Sequence, residues 1–415
     1  MKKILFFMML LAGFLTGCSN NDEGGGSSNE RKSIELSRSE QVMTEETTDF
    51  AFRFFQQVNE SEKVQENWLV SPLSASMALG MITNGADGNT LAELKTTLGF
   101  SEASIDEMNA YYRRLLTELP DLDNTSQLKL ANSIWINQEA ELKAPFVDVN
   151  KQMYDAKVSN LDFSSAKASS TINNWCSDET NGHISKVIEE IYPATKMILL
   201  NALYFKGIWQ EDYKFDKAKT QDEDFTNADE SITKVKMMNQ TNDYAFNYND
   251  YFWMARFGYG NNAYKMIILL PDAKRTLEEC MEAMTAENWK VWNQNWDMRT
   301  LIVKMPRFEI EYNKNLMEDM KAMGIKEAFT PSANFPHISD TNVPLGKLDQ
   351  FTYLKVDEEG TEAATVTKGE TIPGASLAPP PSIGPIEFYL NRPFAFMITE
   401  TSTGIVLFMG KVTKF

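Results

Sequence analysis

The stretch VDEEGTEAATVTKGETIPGASLAPPP, Val356 to Pro381, decides how the rest of the chain is read. It opens acidic, turns small and β-branched, and runs out into proline. Taking Thr361 as inward and stepping by two, one side carries Ala363, Thr365, Thr367, Gly369, Thr371 and Pro373, all small or β-branched and none charged. The other side carries Glu362, Ala364, Val366, Lys368 and Glu370. This is the period-two pattern of a half-buried strand. Yet it leads into IPGASLAPPPSIGP, whose prolines and glycines resist ladder pairing. The segment is strand-capable in sequence and loop-like in context.

Its neighbours read as ordinary globular elements. Downstream, FAFMITETSTGIVLFMGKV forms two apolar strands around a polar turn ending at Gly404. Upstream, LIVKMPRFEIEY alternates through Leu301, Val303 and Met305, then Phe308, Ile310 and Tyr312, and KMIILLPD is a buried strand stopped by Pro271. In the first half helices dominate. Phe50, Phe54 and Val58 recur at helical spacing, with Thr47, Thr48 and Asp49 as candidate caps, and Ser71 with Pro72 opens a second helix punctuated by Gly85 and Gly88. The pattern predicts an α+β class with long antiparallel strands, in one domain from residue 38 to 415.

The 415 residues carry 43% hydrophobic and 11% aromatic side chains and a formal charge of −18. That is enough to bury a large core, and the charge argues against nucleic acid, whose recognition needs clustered Lys and Arg. The first residues, MKKILFFMMLLAGFLTGC, have the charged start and short apolar run of an export signal. LTGC resembles the lipobox of bacterial lipoproteins, which makes residues 1–17 a signal peptide and Cys18 the lipidated anchor, with exposure at a membrane or cell surface. Residues 18–37 then read as a polar, glycine-rich tether.

Catalytic chemistry is hard to find in the sequence. His183 and His337 stand beside glycine or proline with no second ligand at metal spacing, and no GxSxG, HExxH, phosphate loop or dinucleotide fingerprint occurs. No metal, cofactor or enzymatic activity is expected. Cys176 and Cys280 read as buried thiols, and an exported protein also permits a bridge between them. Trp175, Trp209, Trp253, Trp289, Trp292 and Trp296 sit in apolar, patterned segments, which favours core packing over the alternative of glycan capture.

A family resemblance extends across the chain. EEGTEAAT, Glu358, Glu359, Gly360, Thr361, Glu362, Ala363, Ala364 and Thr365, is similar to the hinge of inhibitory serpins. It is joined, in the family's order, by NWLVSPLSASMALGMITNGADGNTLAEL, NNWCSDETNGHI, NALYFKGIW, VKMMNQ, MIILLPD, MPRFEIEYNKNLMEDMKAMGI, NRPFAFMI and FMGKV. The resemblance implies about nine helices around three β-sheets, with an exposed reactive-centre loop. It also implies a suicide mechanism in which a serine, or cysteine, protease cleaves the loop and the loop enters the central sheet as a strand. A monomer partnered by proteases is expected.

Counting along the loop as in that family, fifteen residues inclusive from Gly360, the resemblance implies a reactive bond between Gly374 and Ala375, with Ser376 and Leu377 as alternatives in the 372–377 window. Such small residues suit elastase-like or subtilisin-like enzymes. By the same resemblance, Ser71, Ser74 and Asn201 belong to a polar cluster controlling sheet opening, and Trp209 stands where insertion begins. Gln350 departs from the histidine usual in that cluster and does not titrate as histidine does. A non-inhibitory serpin is the alternative, and the uncharged hinge face argues against it.

Overall fold

The computed structural model describes residues 29–62, 66–180, 182–361 and 384–415. Among them, the helices are α1 (Arg38–Ser61), α2 (Pro72–Thr83), α3 (Gly88–Leu98), α4 (Ile105–Glu118), α5 (Ala144–Tyr154), α6 (Ala168–Glu179), α7 (Leu277–Glu282), α8 (Ala286–Trp292) and α9 (Met317–Met323). The strands are β1 (Trp68–Val70), β2 (Ser126–Asn137), β3 (Lys157–Leu161), β4 (Met197–Ile208), β5 (Gln221–Thr226), β6 (Ile232–Tyr248), β7 (Phe252–Tyr259) and β8 (Tyr264–Pro271). They continue as β9 (Asp297–Pro306), β10 (Phe308–Asn315), β11 (Leu345–Val356), β12 (Gly360–Thr361), β13 (Ile386–Tyr389), β14 (Phe394–Glu400) and β15 (Val406–Val412).

The α+β class holds. The strands form a six-stranded sheet, ordered β10-β11-β12-β4-β2-β3, and a nine-stranded sheet. Three sheets were expected, and the difference lies in β6. Its start pairs with β5, its end with β7, and β9 follows it from Met237 to Phe246, so two of the expected sheets share continuous hydrogen bonding. The apolar phase of LIVKMPRFEIEY flips at Pro306–Arg307 because its halves enter different sheets, β9 in one and β10 in the other. Arg307 is therefore stationed at the junction of the sheets.

Helix α2 is buried along its whole length, as its near-uniform apolarity demands, with Ser71 as N-cap and Pro72 in the first turn. The start of α1 corrects the sequence reading. Ser37 and Glu40 form a capping box there, while Thr47 and Thr48 lie inside the helix and donate to the carbonyls of Met43 and Thr44. The end of the expected tether also differs. Ile34 is buried, its amide donates to Ser402 Oγ, and Asn29 donates to Asp123, so residues 29–37 lie against the body.

A second apolar cluster covers the outer face of the six-stranded sheet. There α6 and the segment after it lay Ile172, Ile184, Val187 and Ile188 over Ile198, Leu200 and Ala202 of β4 and Phe351 of β11. Cys176 belongs to this cluster and Cys280 to the main core. Both are free thiols, which removes the bridge, and burial pushes each thiol up to about 12, which favours the protonated form. All six tryptophans weighed above pack against one cluster or the other.

Candidate functional site: the hinge and the seam it enters

Strands β4 and β11 are parallel neighbours from Met197/Leu345 to Tyr204/Tyr353. Above that rung they part, and the hinge enters between them. Gly360 and Thr361 pair antiparallel with Ile208 and Gly207 of β4, and Thr361 pairs antiparallel with Val356 of β11. The hinge was expected to be exposed in the intact chain. Instead its first two strand residues are already in the sheet, because the turn Asp357–Gly360 folds β12 back beside β11 through reciprocal backbone bonds of 2.8 and 3.3 Å.

Each hinge residue has a physical reason to sit there. Gly360 has φ +151°, and a Cβ on it would lie 2.1 Å from the carbonyl oxygen of Gly207, so both its conformation and its space require glycine. Thr361 is fully buried, its hydroxyl 2.7 Å from that of Tyr259. Glu359 presents its carbonyl to the Trp209 amide at 2.7 Å, and the indole Nε1 donates to Asp357 O at 2.9 Å. Trp209 itself is held by stacking on Tyr259, 4.5 Å between centroids and 11° between planes.

Glu358 is the ionic anchor. Its side chain is 1% exposed, yet its carboxylate accepts from Arg307 Nε at 2.9 Å, Arg307 Nη2 at 2.6 Å and Thr220 Oγ1 at 2.5 Å. Burial alone would push this carboxyl up; the bonds from Arg307 and Thr220 outweigh it and hold the group below the usual carboxylate range. Glu362, Ala363, Ala364 and Thr365, and the bond window with Gly374, Ala375, Ser376 and Leu377, lie outside the described residues, as does Cys18.

Below the hinge, the polar cluster bridges three strands and the start of α2. Gln350 Oε1 accepts from the Ser71 amide at 2.9 Å, and its Nε2 donates to Ser71 O at 2.8 Å and Asn201 Oδ1 at 3.4 Å. Ser74 Oγ donates to Asn201 Oδ1 as well. Asn201 Nδ2 donates in turn to Asn132 Oδ1 at 2.7 Å, directly across the β2–β4 register. The oxygen and nitrogen of the Gln350 amide are both engaged, so the side chain forms a fork bridging the start of α2 and β4.

Sequence reasoning missed several members of this site. Asn132, Tyr259, Gly207, Thr220 and Arg307 were not singled out, because each is unremarkable in its own segment and meets the hinge only through strand pairing or the sheet junction. A signal existed for Arg307, the charged residue at the phase break of LIVKMPRFEIEY. Among the described residues, no group of three or more His, Cys, Asp or Glu is placed to hold a metal, and no helix is long and apolar enough to cross a membrane.

The model of the Serpin (serine protease inhibitor) family matches residues 45–415. The chain belongs to the serpins. This serpin is 31% identical to human antithrombin-III over 411 residues, covering 93% of the chain and 87% of that protein. It is 33% identical to Iripin-3 of Ixodes ricinus, covering 84% and 88%. Among solved structures, the thermophilic serpin tengpin in its native state matches with a TM-score of 0.81 at 29% identity, over 93% of this chain and 97% of that one. Human thyroxine-binding globulin complexed with thyroxine matches at 0.82 and 26%, over 90% and 99%. The family is one of protease inhibitors, yet it includes a hormone binder, so membership alone does not fix this serpin's role.

Proposed function

We propose that this serpin is a suicide-substrate inhibitor of serine endopeptidases, acting by insertion of the cleaved loop between β4 and β11. The observation that carries the reading is β12: a hinge whose inward Thr361 is already seated in the seam, antiparallel to both neighbours. From Ala364 onward, each residue that follows it would replace a parallel pairing of β4 and β11 by two antiparallel ones, the more stable kind of ladder. The protease's serine attacks the carbonyl of the residue before the cleaved bond, the peptide bond breaks, and the new amine leaves with a proton, which yields an acyl-enzyme. A cysteine protease follows the same course through a thioester.

Insertion then draws the attached protease away before water reaches the ester. The bait sequence ETIPGAS favours shallow, apolar pockets, so elastase-like or subtilisin-like enzymes are the proposed targets. The same reading puts the inhibitor on a membrane through a lipid on Cys18, as LTGC supports. The test is incubation with elastase, subtilisin, trypsin and papain, followed by denaturing gel and mass measurement of the released C-terminal peptide. A covalent complex with elastase or subtilisin, and a peptide beginning between residues 373 and 377, is the expected result. Complete cleavage with active protease recovered and no complex contradicts the proposal, and would favour a carrier role of the kind thyroxine-binding globulin has.

A further inference from the structure

The register at the top of the seam says which rung the entering strand meets, and what guards it. Thr361 lies opposite Gly207 of β4 and Val356 of β11. Continued by three residues, both antiparallel registers bring Ala364 opposite Tyr204 on one side and Tyr353 on the other. Those two tyrosines are paired with each other in the intact protein, as the last parallel rung of β4 and β11. Insertion must part them, from one inter-strand spacing to two, a separation of about 5 Å becoming about 10 Å.

Over this rung lies His183. Its ring stacks on Tyr204 at 5.2 Å and 11°, and on Tyr353 at 5.1 Å and 21°, so one imidazole holds a ring from each of the two strands that must separate. Tyr353 is itself fixed by donating to Glu309 Oε1 at 2.8 Å. The histidine is delivered there by the end of α6. Gly182, at φ +84°, reverses the chain, and its amide donates to Ser177 O. Asn173 of α6 then secures the following segment, its Oδ1 accepting from the amides of Val187 and Ile188 at 2.9 Å each.

We propose that His183 is the bolt on the seam: by stacking on Tyr204 and Tyr353 together, it holds shut the first rung the loop must open and so sets the rate at which the sheet accepts the strand. This rests on the inhibitory reading above. Once Ala364 stands between the tyrosines, a single imidazole no longer reaches both at stacking distance. His183 is a positioning residue that acts through the two tyrosines and touches no protease.

The test uses the intact full chain and a synthetic peptide copying residues 361–374, TEAATVTKGETIPG, whose annealing into the sheet is followed by native gel. Two ring contacts are lost in His183→Ala, which is expected to anneal the peptide about tenfold faster than the natural chain. His183→Phe keeps an aromatic ring in place and is expected to stay within about twofold of the natural rate. Annealing of His183→Ala at the natural rate overturns the proposal, and so does equal acceleration in both variants, which would assign the barrier to loop packing rather than to the ring. The two readings fail separately. Absence of a protease complex with the rates separated as stated sinks only the inhibitory reading, whereas a complex with unseparated rates sinks only this one.

Discussion

At Thr361 the hinge meets its tightest requirement, because the side chain is already buried against Tyr259 in the uncleaved chain. A cation there must be buried unpaired or must drive the hinge out, a choice costing several kcal/mol either way. Thr361→Arg is therefore expected to raise the stoichiometry of inhibition against elastase by about tenfold or more, turning inhibitor into substrate, as read by active-site titration. An unchanged stoichiometry contradicts the hinge argument. Glu358 makes the complementary case. Arg307→Ala leaves its carboxylate buried without its main partner, at a cost of about 3–5 kcal/mol, and the urea unfolding midpoint should fall accordingly. Because the folded carboxyl titrates below its ordinary 4.5, the anchor's contribution is present above that value and is lost as the pH falls through the lower folded one. Proteolytic sensitivity of the hinge should thus rise in acid, while Glu358→Gln should be sensitive at pH 7 and lose this acid step.

At the scale of elements, the seam between β4 and β11 is held by polar contacts that opening must break. Gln350→Ala strips partners from the buried amide and carbonyl of Ser71 and is expected to destabilise the intact protein by about 3 kcal/mol, measured by denaturant unfolding. Gln350→His should introduce a pH dependence of sheet opening between about pH 5 and 8, where the natural amide has none. The same elements show what the sequence made readable. Apolar runs marked β8, β14 and β15, because burial leaves a periodic imprint, and Thr361, taken as inward, is buried, while the rest of the hinge face lies outside the described residues. Capping of α1 was misplaced, since the first turns of that helix carry only Val42 and Met43 as apolar residues and the regular apolar repeat begins at Phe50; the S-x-x-E signal at Ser37 and Glu40 was there to be read. The Glu358–Arg307 pair and the His183 stack span 51 and 170 residues of chain and follow from topology, which no local pattern carries.

On the proposed mechanism, the molecule as a whole gains a strand in its sheet only after cleavage. On that mechanism the paired β12 would lower the cost of starting insertion, while the segment after α6 and the Gln350 cluster would oppose its continuation. Inserting residues 362–374 would add ladder bonds on both sides, and at about 1 kcal/mol net each the gain is on the order of 10 kcal/mol. The central claim is therefore tested most directly by comparing thermal unfolding of the intact chain with that of the chain cleaved within residues 372–377. Insertion predicts a midpoint raised by roughly 10 °C or more after the cut, with the fragments still associated. A cleaved chain that unfolds at or below the temperature of the intact one would contradict it.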